Sequence, residues 1–424
     1  MNLYQELEWR SLVHASTEGL PERLASDKLT AYAGFDPTAS SLHVGSLMPM
    51  MALARFQRAG HTPIALIGGG TSLIGDPSGK STERTLLTPE QVQINSVEIR
   101  NQLSRFLDFG SGNQSAKLLN NADWLGTLNG MEFFREIGKH FTVNSMLAKE
   151  SVKRRLESED GISFTEFSYL LLQAYDFLVL HDKFNCTLQV GGSDQWGNIT
   201  AGCDLIRRLR SEKVHGLVFP LITTASGEKF GKTEAGTIWL DASLTSPFRF
   251  FQFFLNTDDI DVIKYLNFFT FLDQSTISDL AKAAEIKPEH REAQRTLASE
   301  VTQLVHGLDQ MKRAQRASEV FFGGDLKKIP ADDLLMIFDD VPSSSMSAEA
   351  LNQGIPLSGL LVSSGLTSSK SEATRLIRSG GIYVNERRVT NEKERLTASE
   401  AIDGSLFVLR KGAKQKHIVK ILSE

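Results

Sequence analysis

Three polar residues stand inside a largely apolar run: Tyr169, Gln173 and Asp176, four and three positions apart. Around them lie Phe164, Phe167, Leu170, Leu171, Leu172, Ala174, Phe177 and Leu178, which predicts a helix over 164–180, apolar all round and therefore buried. Ser163 and Glu166 supply a capping box at its start. At about 100° per residue the three polar side chains fall within about 60° of one another and form one stripe. An unpaired buried Asp or Gln costs about 1–3 kcal/mol, so the stripe needs partners. Those partners are either an internal network or a ligand.

Two further patterns suit phosphate. His43-Val-Gly-Ser46 stands where a first strand hands over to a helix, and free N–H groups and the helix dipole favour anions there. Gly227-Glu-Lys-Phe-Gly-Lys-Thr233 is a loop whose Lys229 and Lys232 lie three residues apart, followed by Thr233. Either pattern alone is compatible with a solvated surface. The two together, about 185 residues apart after the first and last strands, are far more specific. Commoner phosphate motifs fail on register. From Gly68 the dinucleotide pattern meets Leu73 at its last glycine, and Gly75 to Ser81 has one residue too few for a P-loop.

The elements that must position these groups alternate short β-like runs with helical patterns over 29–225, the sequence form of a parallel sheet covered by helices. The first strand reads Leu29 to Phe35. A helix follows from about Gly45, with Leu47, Met50, Met51, Ala54 and Arg55 on one buried face and Gly60 as its stop. Thr62 to Ile67 is the next strand, Lys117 to Asn121 and Cys186 to Val190 are further ones, and helices start near Pro89 and Ser193. Ligands of open α/β sheets bind beyond the carboxyl ends of the strands. Four small or polar loops stand there, over 36–46, 68–80, 191–198 and 223–237, so a substrate cleft is expected.

From Thr245 to Phe322 the pattern is helical, with Glu292, Arg295, Glu300 and Lys312 expected on the surface. Residues 323–350, with Pro342-Ser-Ser-Ser345, read as a linker. The organisation expected is therefore 1–225 as the catalytic α/β domain, 226–322 as lysine loop and helical domain, 323–350 as linker and 351–424 as a small basic module.

A length of 424 residues allows two to four domains. The 41% hydrophobic and 23% charged residues are ordinary for a globular protein, and no apolar run approaches the ~18 residues of a membrane span. The start, with Glu6 and Glu8, lacks a cationic and apolar leader, so a cytoplasmic setting is expected. Cys186 and Cys203, the only cysteines, are too few for a disulfide framework and read as reduced core residues. The net charge of −5 is uneven: residues 366–424 carry 12 Lys and Arg against 7 Asp and Glu, which leaves −10 on the remainder. The basic tail calls for an anionic partner.

The residues resemble the class I aminoacyl-tRNA synthetases, and among them the bacterial-type tyrosyl enzymes. His43-Val-Gly-Ser46 is similar to the His-Ile-Gly-His signature, with Ser46 where the second histidine stands, and Lys229-Phe-Gly-Lys-Thr233 is similar to the Lys-Met-Ser-Lys-Ser loop. Tyr32 to Thr38, Gly75 to Gly79, Phe164 to Asp176, Gly191 to Asn198 and Gly236-Thr-Ile-Trp-Leu-Asp241 also read as family text. Residues 355–424 look like the ribosomal-protein-type RNA-binding module of such enzymes, with Ser369 to Glu372 capping a helix and Gly380 to Asn385 opening a hairpin.

The resemblance implies a Rossmann-like parallel-sheet catalytic domain, an α-helical domain and a small α+β RNA-binding module. It implies tyrosine activation by ATP with Mg2+, no tightly bound cofactor, no dedicated metal site, transfer to tRNA(Tyr), and a homodimer, for which the apolar residues around Met131 to Phe164 are the expected contact region. His43, Lys229, Lys232 and Thr233 would carry catalysis, with Lys80 and Arg84 as lesser candidates. Tyr32, Gly34, Asp76, Tyr169, Gln173, Asp176 and Gln195 would bind tyrosine. Asp36, Thr38, His43, Gly45, Ser46, Gly192, Asp194, Lys229 and Lys232 would bind ATP. Lys370, Arg375, Arg378, Arg387 and Arg388 would meet RNA. Two rivals are a tryptophanyl-type synthetase on the same scaffold and an RNA-binding protein on a retired one.

Overall fold

Short apolar runs buried on both faces become parallel strands, and they dominate one sheet in the computed structural model of the chain. In chain order its strands are β1 (Ala15–Ser16), β2 (Thr30–Phe35), β3 (Thr62–Ile67), β4 (Lys117–Asn120), β5 (Cys186–Gly192) and β6 (His215–Phe219). They lie in the order β1-β6-β5-β2-β3-β4. All neighbours are parallel except β1, which runs antiparallel along β6. The chain steps outward from β2 through β3 to β4, then returns to β5 and leaves towards β6. Connections therefore diverge between β2 and β5, the switch point at which a crevice opens. The structure describes residues 2–78, 87–112, 114–157, 161–225, 227, 230–233, 236–321, 330–331, 334–335, 338, 341–351, 353–412 and 415–422.

The helix Leu47–Arg58 departs from the single buried face that its spacing predicts. Met48, Ala52, Leu53 and Phe56 are buried as well, because strands cover one side and the helix Asp259–Phe269 another. Arg55, 2% exposed, is accommodated by donating from Nη2 to the carbonyls of Asn267, Phe268 and Thr270 at 3.2, 3.0 and 2.8 Å. A helix C-terminus leaves such carbonyls unpaired, and a guanidinium suits them.

The polar-striped helix spans Phe164–Phe184 and ends on Asn185 in the left-handed region. Ser163 Oγ accepts the Glu166 N–H at 3.2 Å, but the Glu166 carboxylate turns to Arg155 at 2.8 Å instead of closing the capping box. The first turn is buried only in part: Glu166 is 1% exposed, but Phe164 is 70% exposed. After β6 come the two-residue strands β7 (Lys232–Thr233) and β8 (Gly236–Thr237), which pair antiparallel, and then helices over Asp259–Phe269, Gln274–Ile286, Glu292–His306 and Leu308–Phe321. Glu292, Arg295 and Lys312 are exposed as expected, whereas Glu300 is half-buried.

The chain divides into two compact units. The first comprises Met1–Thr245 and Phe253–Val305, and the second Ser246–Gln252 and His306–Glu424. The second contains β9 (Ser343–Ser347), β10 (Ile355–Pro356), β11 (Ile382–Val384), β12 (Arg387–Val389), β13 (Arg395–Leu396), β14 (Leu406–Lys411) and β15 (Gln415–Leu422). Five of these form a sheet in the order β12-β11-β14-β15-β9. The end of the expected 323–350 linker is thus corrected: Ser343–Ser347 pairs in parallel with β15, and Met346 packs on the unit's core. Its alternation of small exposed and half-buried residues suits an edge strand, although the serine run reads as flexible. The β11–β12 turn places Asn385 and Glu386 at φ 49° and 61°, as a two-residue hairpin requires.

Candidate active site

A cavity of about 590 Å³ lies at the carboxyl ends of β2 and β5, within the range of small-ligand sites. Its walls include Tyr32, Gly34, Asp36, Thr38, His43, Gly45, Ser46, Asp76, Tyr169, Gln173, Asp176, Gly192, Asp194, Gln195 and Lys232. These residues are scattered over more than two hundred positions of sequence, and the switch point gathers them. Thr233 is not among the walls, since its hydroxyl donates to Gly236 O at 3.0 Å across the β7–β8 hairpin. Lys229, Lys80 and Arg84 lie outside the described residues.

The stripe has found its internal partners and still faces the cavity. Asp176, 2% exposed, accepts from Asn121 Nδ2 at 2.9 Å and from Trp124 Nε1 at 2.7 Å. Burial pushes its carboxyl up to about 7, against the opposing pull of those two donors. Tyr169 donates its hydroxyl to Asp36 Oδ2 at 3.0 Å, and Thr71 donates to the other oxygen of Asp36 at 2.9 Å. Gln173 donates to Gln195 Oε1 at 3.1 Å, and Gln195 in turn donates to Asp76 Oδ2 at 2.7 Å. A fixed row of acceptors thus runs from Asp76 through Gln195 to Gln173, with Asn198 donating to Gln173 Oε1 at 2.9 Å.

Tyr32 differs from these. It is 1% exposed, its ring lies 5.3 Å from that of Phe177, and its hydroxyl has no hydrogen-bond partner among the described residues. Burial and the nearby Asp176 carboxylate hold it well above the ordinary tyrosine range, so it stays a neutral donor. A buried hydroxyl without a partner is costly, and one that lines a cavity is satisfied by what enters.

Sequence reasoning missed three residues at this end. Asn121, 1% exposed, joins Asp176, Thr71 and the Gly70 N–H. Trp124 holds the second Asp176 oxygen. Gln189, 3% exposed in the middle of β5, lines the cavity with its Oε1 unpaired. Gln189 was detectable, because a polar residue inside a parallel strand buried on both faces needs an explanation. Asn121 and Trp124 carried no such signal, since they lie in an ordinary loop and a four-residue helix, Ala122–Leu125.

At the other end, His43 Nδ1 accepts the Gly45 N–H at 3.0 Å, which leaves the ring proton on Nε2. Asp194 sits in the single turn Ser193–Gln195 after β5. No side chain caps the helix Trp196–Arg210, so an N-cap is not the role of Asp194.

In the second unit the expected RNA residues divide into two groups. Arg378 pairs with Glu392 at 2.5 Å, and Arg387 with Glu394 and Glu400 at 2.7 and 3.0 Å. Arg388 donates to the carbonyls of Gly380 and Ser379 at 2.8 and 3.2 Å. Lys370 and Arg375, both exposed on the helix Lys370–Arg378, form no ion pair among the described residues.

A parallel sheet with a divided switch point, a histidine turn on one wall and a lysine loop on the other defines a class I synthetase. Residues 24–323 match the family described as tRNA synthetases class I (W and Y), and residues 333–419 match the tyrosine–tRNA ligase SYY-like C-terminal domain. The chain belongs to this family of ATP-dependent aminoacyl-tRNA synthetases. Within it, the chain is 53% identical over 421 residues to the tyrosine–tRNA ligase of Roseiflexus castenholzii, covering 99% of each chain. It is 50% identical to tyrosine–tRNA ligase 1 of Bacillus subtilis, again over 99% of each. A crystal structure of a C-terminally truncated mitochondrial tyrosyl-tRNA synthetase from Aspergillus nidulans superposes with a TM-score of 0.69 at 32% identity, covering 76% of this chain and 94% of that one. No helix among the described residues is long and apolar enough to cross a membrane.

Proposed function

We propose that the cavity is where L-tyrosine and ATP meet. The chain is a tyrosine–tRNA ligase. The tyrosine carboxylate attacks the α-phosphorus of ATP, a C–O–P bond forms, the bond to the bridging oxygen breaks, and pyrophosphate leaves. A ribose hydroxyl at the 3′ end of tRNA(Tyr) then attacks the carbonyl carbon, the ester forms and AMP departs. Such chemistry needs positioning and charge stabilisation more than a general base.

The observation that carries the tyrosine reading is the unpartnered Tyr32 hydroxyl on the same cavity as Asp176. A substrate phenol can donate to Asp176 while it accepts from Tyr32. Its ammonium group then meets Tyr169, Gln173 and Asp76, with Gln195 bridging, and Gly34 leaves the floor open because a Cβ there would meet nothing within 4 Å. Phenylalanine would leave both polar groups unpaired. Sites built for a hydroxyl reject such analogues strongly, and tyrosyl-tRNA synthetases are themselves the known instance of the rule, at about 10⁵. Indole offers no hydroxyl at that depth, which disfavours the tryptophan branch.

ATP then occupies the wall of Asp36, Thr38, His43, Gly45, Ser46, Gly192 and Asp194. Lys232 and Lys229, followed by Thr233, close over the departing pyrophosphate, with Lys80 and Arg84 as lesser contributors. Mg2+ arrives on the triphosphate, where phosphate oxygens and water supply most of its ligands. Lys370, Arg375, Arg378, Arg387 and Arg388 serve tRNA in the C-terminal module, and the enzyme acts as a homodimer in the cytoplasm. We assign 1–225 to catalysis, 226–322 to the lysine loop and tRNA, and 351–424 to RNA. Tyrosine-dependent exchange between ATP and labelled pyrophosphate tests the reading, with Asp176→Ala as the decisive variant. Discrimination against phenylalanine should collapse in that variant, and parent-like discrimination would refute the assignment of the stripe.

A further inference from the structure

Gly236-Thr-Ile-Trp-Leu-Asp241 reads as family text but has no task in the mechanism above. In the fold it joins the two phosphate signatures. Val44 N–H donates to Ile238 O at 3.0 Å, and Leu240 N–H donates to Leu42 O at 2.9 Å. His43 and Trp239 are therefore directly opposite each other in an antiparallel bridge. Flanking rather than shared hydrogen bonds make them the non-hydrogen-bonded kind of pair, whose side chains approach most closely. Their rings meet edge to face, with centroids 6.3 Å apart at 69°. The same Ile238 donates its N–H to Gly231 O at 3.0 Å, inside the lysine loop. One peptide segment thus holds the histidine turn on one side and the lysine loop on the other.

The fit around this segment leaves little slack. Gly231 has φ +83°, and a Cβ there would lie 2.3 Å from Val44 Cγ2. A Cβ on Gly45 would lie 2.7 Å from His43 Cε1, so the imidazole rests directly on that backbone. The Trp239 N–H donates to Thr245 Oγ1 at 3.0 Å, and Thr245 is 2% exposed. That bond is made by the main chain of Trp239 and anchors the backbone that carries the indole.

We propose that Trp239 is a positioning residue for His43: its ring edge, opposite the imidazole, keeps that ring over the Gly45 N–H with the Nε2 proton aimed at the triphosphate. The Ile238 peptide sets the lysine loop in register with the same imidazole. The proposal rests on the reading that His43 serves adenylate formation, and the test separates the two.

Single-turnover adenylate formation by the full-length enzyme is measured for the parent, Trp239→Leu, Trp239→Phe, His43→Asn and the Trp239→Leu/His43→Asn double variant. Misplacement of a catalytic group by about an ångström costs up to about 10²-fold, so Trp239→Leu is expected to slow the step roughly 10- to 100-fold. Equilibrium binding of tyrosine should be unchanged, which also certifies the fold, and Trp239→Phe, which keeps a ring edge, should retain most of the rate. In the His43→Asn background Trp239→Leu should have no further effect, because residues that act through one another are not additive. An equal slowing in both backgrounds would overturn the proposal, since it would mean that the indole acts on the nucleotide directly or on the whole fold. So would a parent-like Trp239→Leu beside a slow His43→Asn. A parent-like His43→Asn would instead remove the reading of His43, and this inference with it. Trp239→Met replaces Trp239→Leu if the latter does not fold.

Discussion

Trp124 donates its indole N–H to Oδ1 of Asp176 at 2.7 Å, and so a residue of a four-residue helix orients the acid on the long helix. A hydrogen bond to a charged group contributes about 1.5–3 kcal/mol. Trp124→Phe removes the donor but keeps much of the apolar volume. Tyrosine affinity at pH 7 should fall by about tenfold or more, because the carboxyl rises further above its already elevated value and loses its orientation. Equilibrium dialysis with labelled tyrosine measures this directly.

The same carboxyl predicts a pH dependence of definite sign. Burial raises Asp176 from 3.8 to about 7, so it takes up a proton as pH falls through about 7. In the proposed tyrosine site the ionised form is the one that would accept the substrate hydroxyl. Affinity for tyrosine should be full above about pH 7 and decline below it, approaching tenfold per pH unit. The folded state binds this proton more tightly than the unfolded chain does. Its contribution to stability is therefore present below the unfolded value of 3.8 and lost as pH rises through about 7. Asp176→Asn should flatten both profiles, as binding and thermal unfolding measured from pH 5 to 8.5 would reveal.

Lys232 lines the cavity from β7. Removing one preorganised stabiliser of developing charge commonly costs a factor of about 10²–10³. Lys232→Ala should slow adenylate formation by that factor and leave tyrosine affinity almost unchanged, since the proposed amino-acid site lies at the opposite end. Stopped-flow adenylate formation together with equilibrium tyrosine binding separates these two effects.

Much of this was legible in the sequence for definite reasons. The i, i+4, i+7 spacing of Tyr169, Gln173 and Asp176 fixes a shared direction whatever the tertiary structure, and the parallel sheet follows from strands that are apolar on both faces. The companions of those residues were not legible. That Asn121 and Trp124 grip Asp176, or that Trp239 stands opposite His43, depends on which strand lies beside which, and local periodicity carries no such information. The helix Leu47–Arg58 shows the opposite failure. Its pattern reveals one face, yet a second helix covers the rest and Arg55 is buried by capping that helix's carbonyls. Ser343–Ser347 was misjudged because small polar residues suit both a linker and an edge strand, and only the partner β15 decides between them.

The basic module offers a graded test. Arg378 and Arg387 are already paired with carboxylates, and Arg388 caps the carbonyls of Gly380 and Ser379, whereas Lys370 and Arg375 are unpaired among the described residues. Each phosphate contact contributes about one unit to the slope of log affinity against log salt. Lys370→Ala and Arg375→Ala should each lower that slope for tRNA by about one and spare pyrophosphate exchange. Arg388→Ala should in addition lower the unfolding temperature, because two backbone carbonyls lose their donor. Filter binding across a salt series and thermal unfolding distinguish the two behaviours.

The proposed homodimer is testable through the exposed apolar residues between Met131 and Phe164. Met131, Val143 and Phe164 are 82%, 60% and 70% exposed in the single chain, with Phe134 and Leu156 near half. Single exposed apolar residues are unremarkable, but such a concentration is what the proposed contact surface requires. In a twofold dimer each substitution enters the interface twice. Burying an unpaired carboxylate costs at least about 1–3 kcal/mol per copy, so Phe164→Asp should weaken association by roughly 10²-fold or more. Phe164 lies at the start of the helix that carries Tyr169 and Asp176 but outside the cavity walls, so the dissociated chain should still bind tyrosine. Sedimentation velocity over a concentration series reads the first effect, and tyrosine binding on the same samples reads the second. A parent-like sedimentation coefficient at low concentration would place the contact elsewhere.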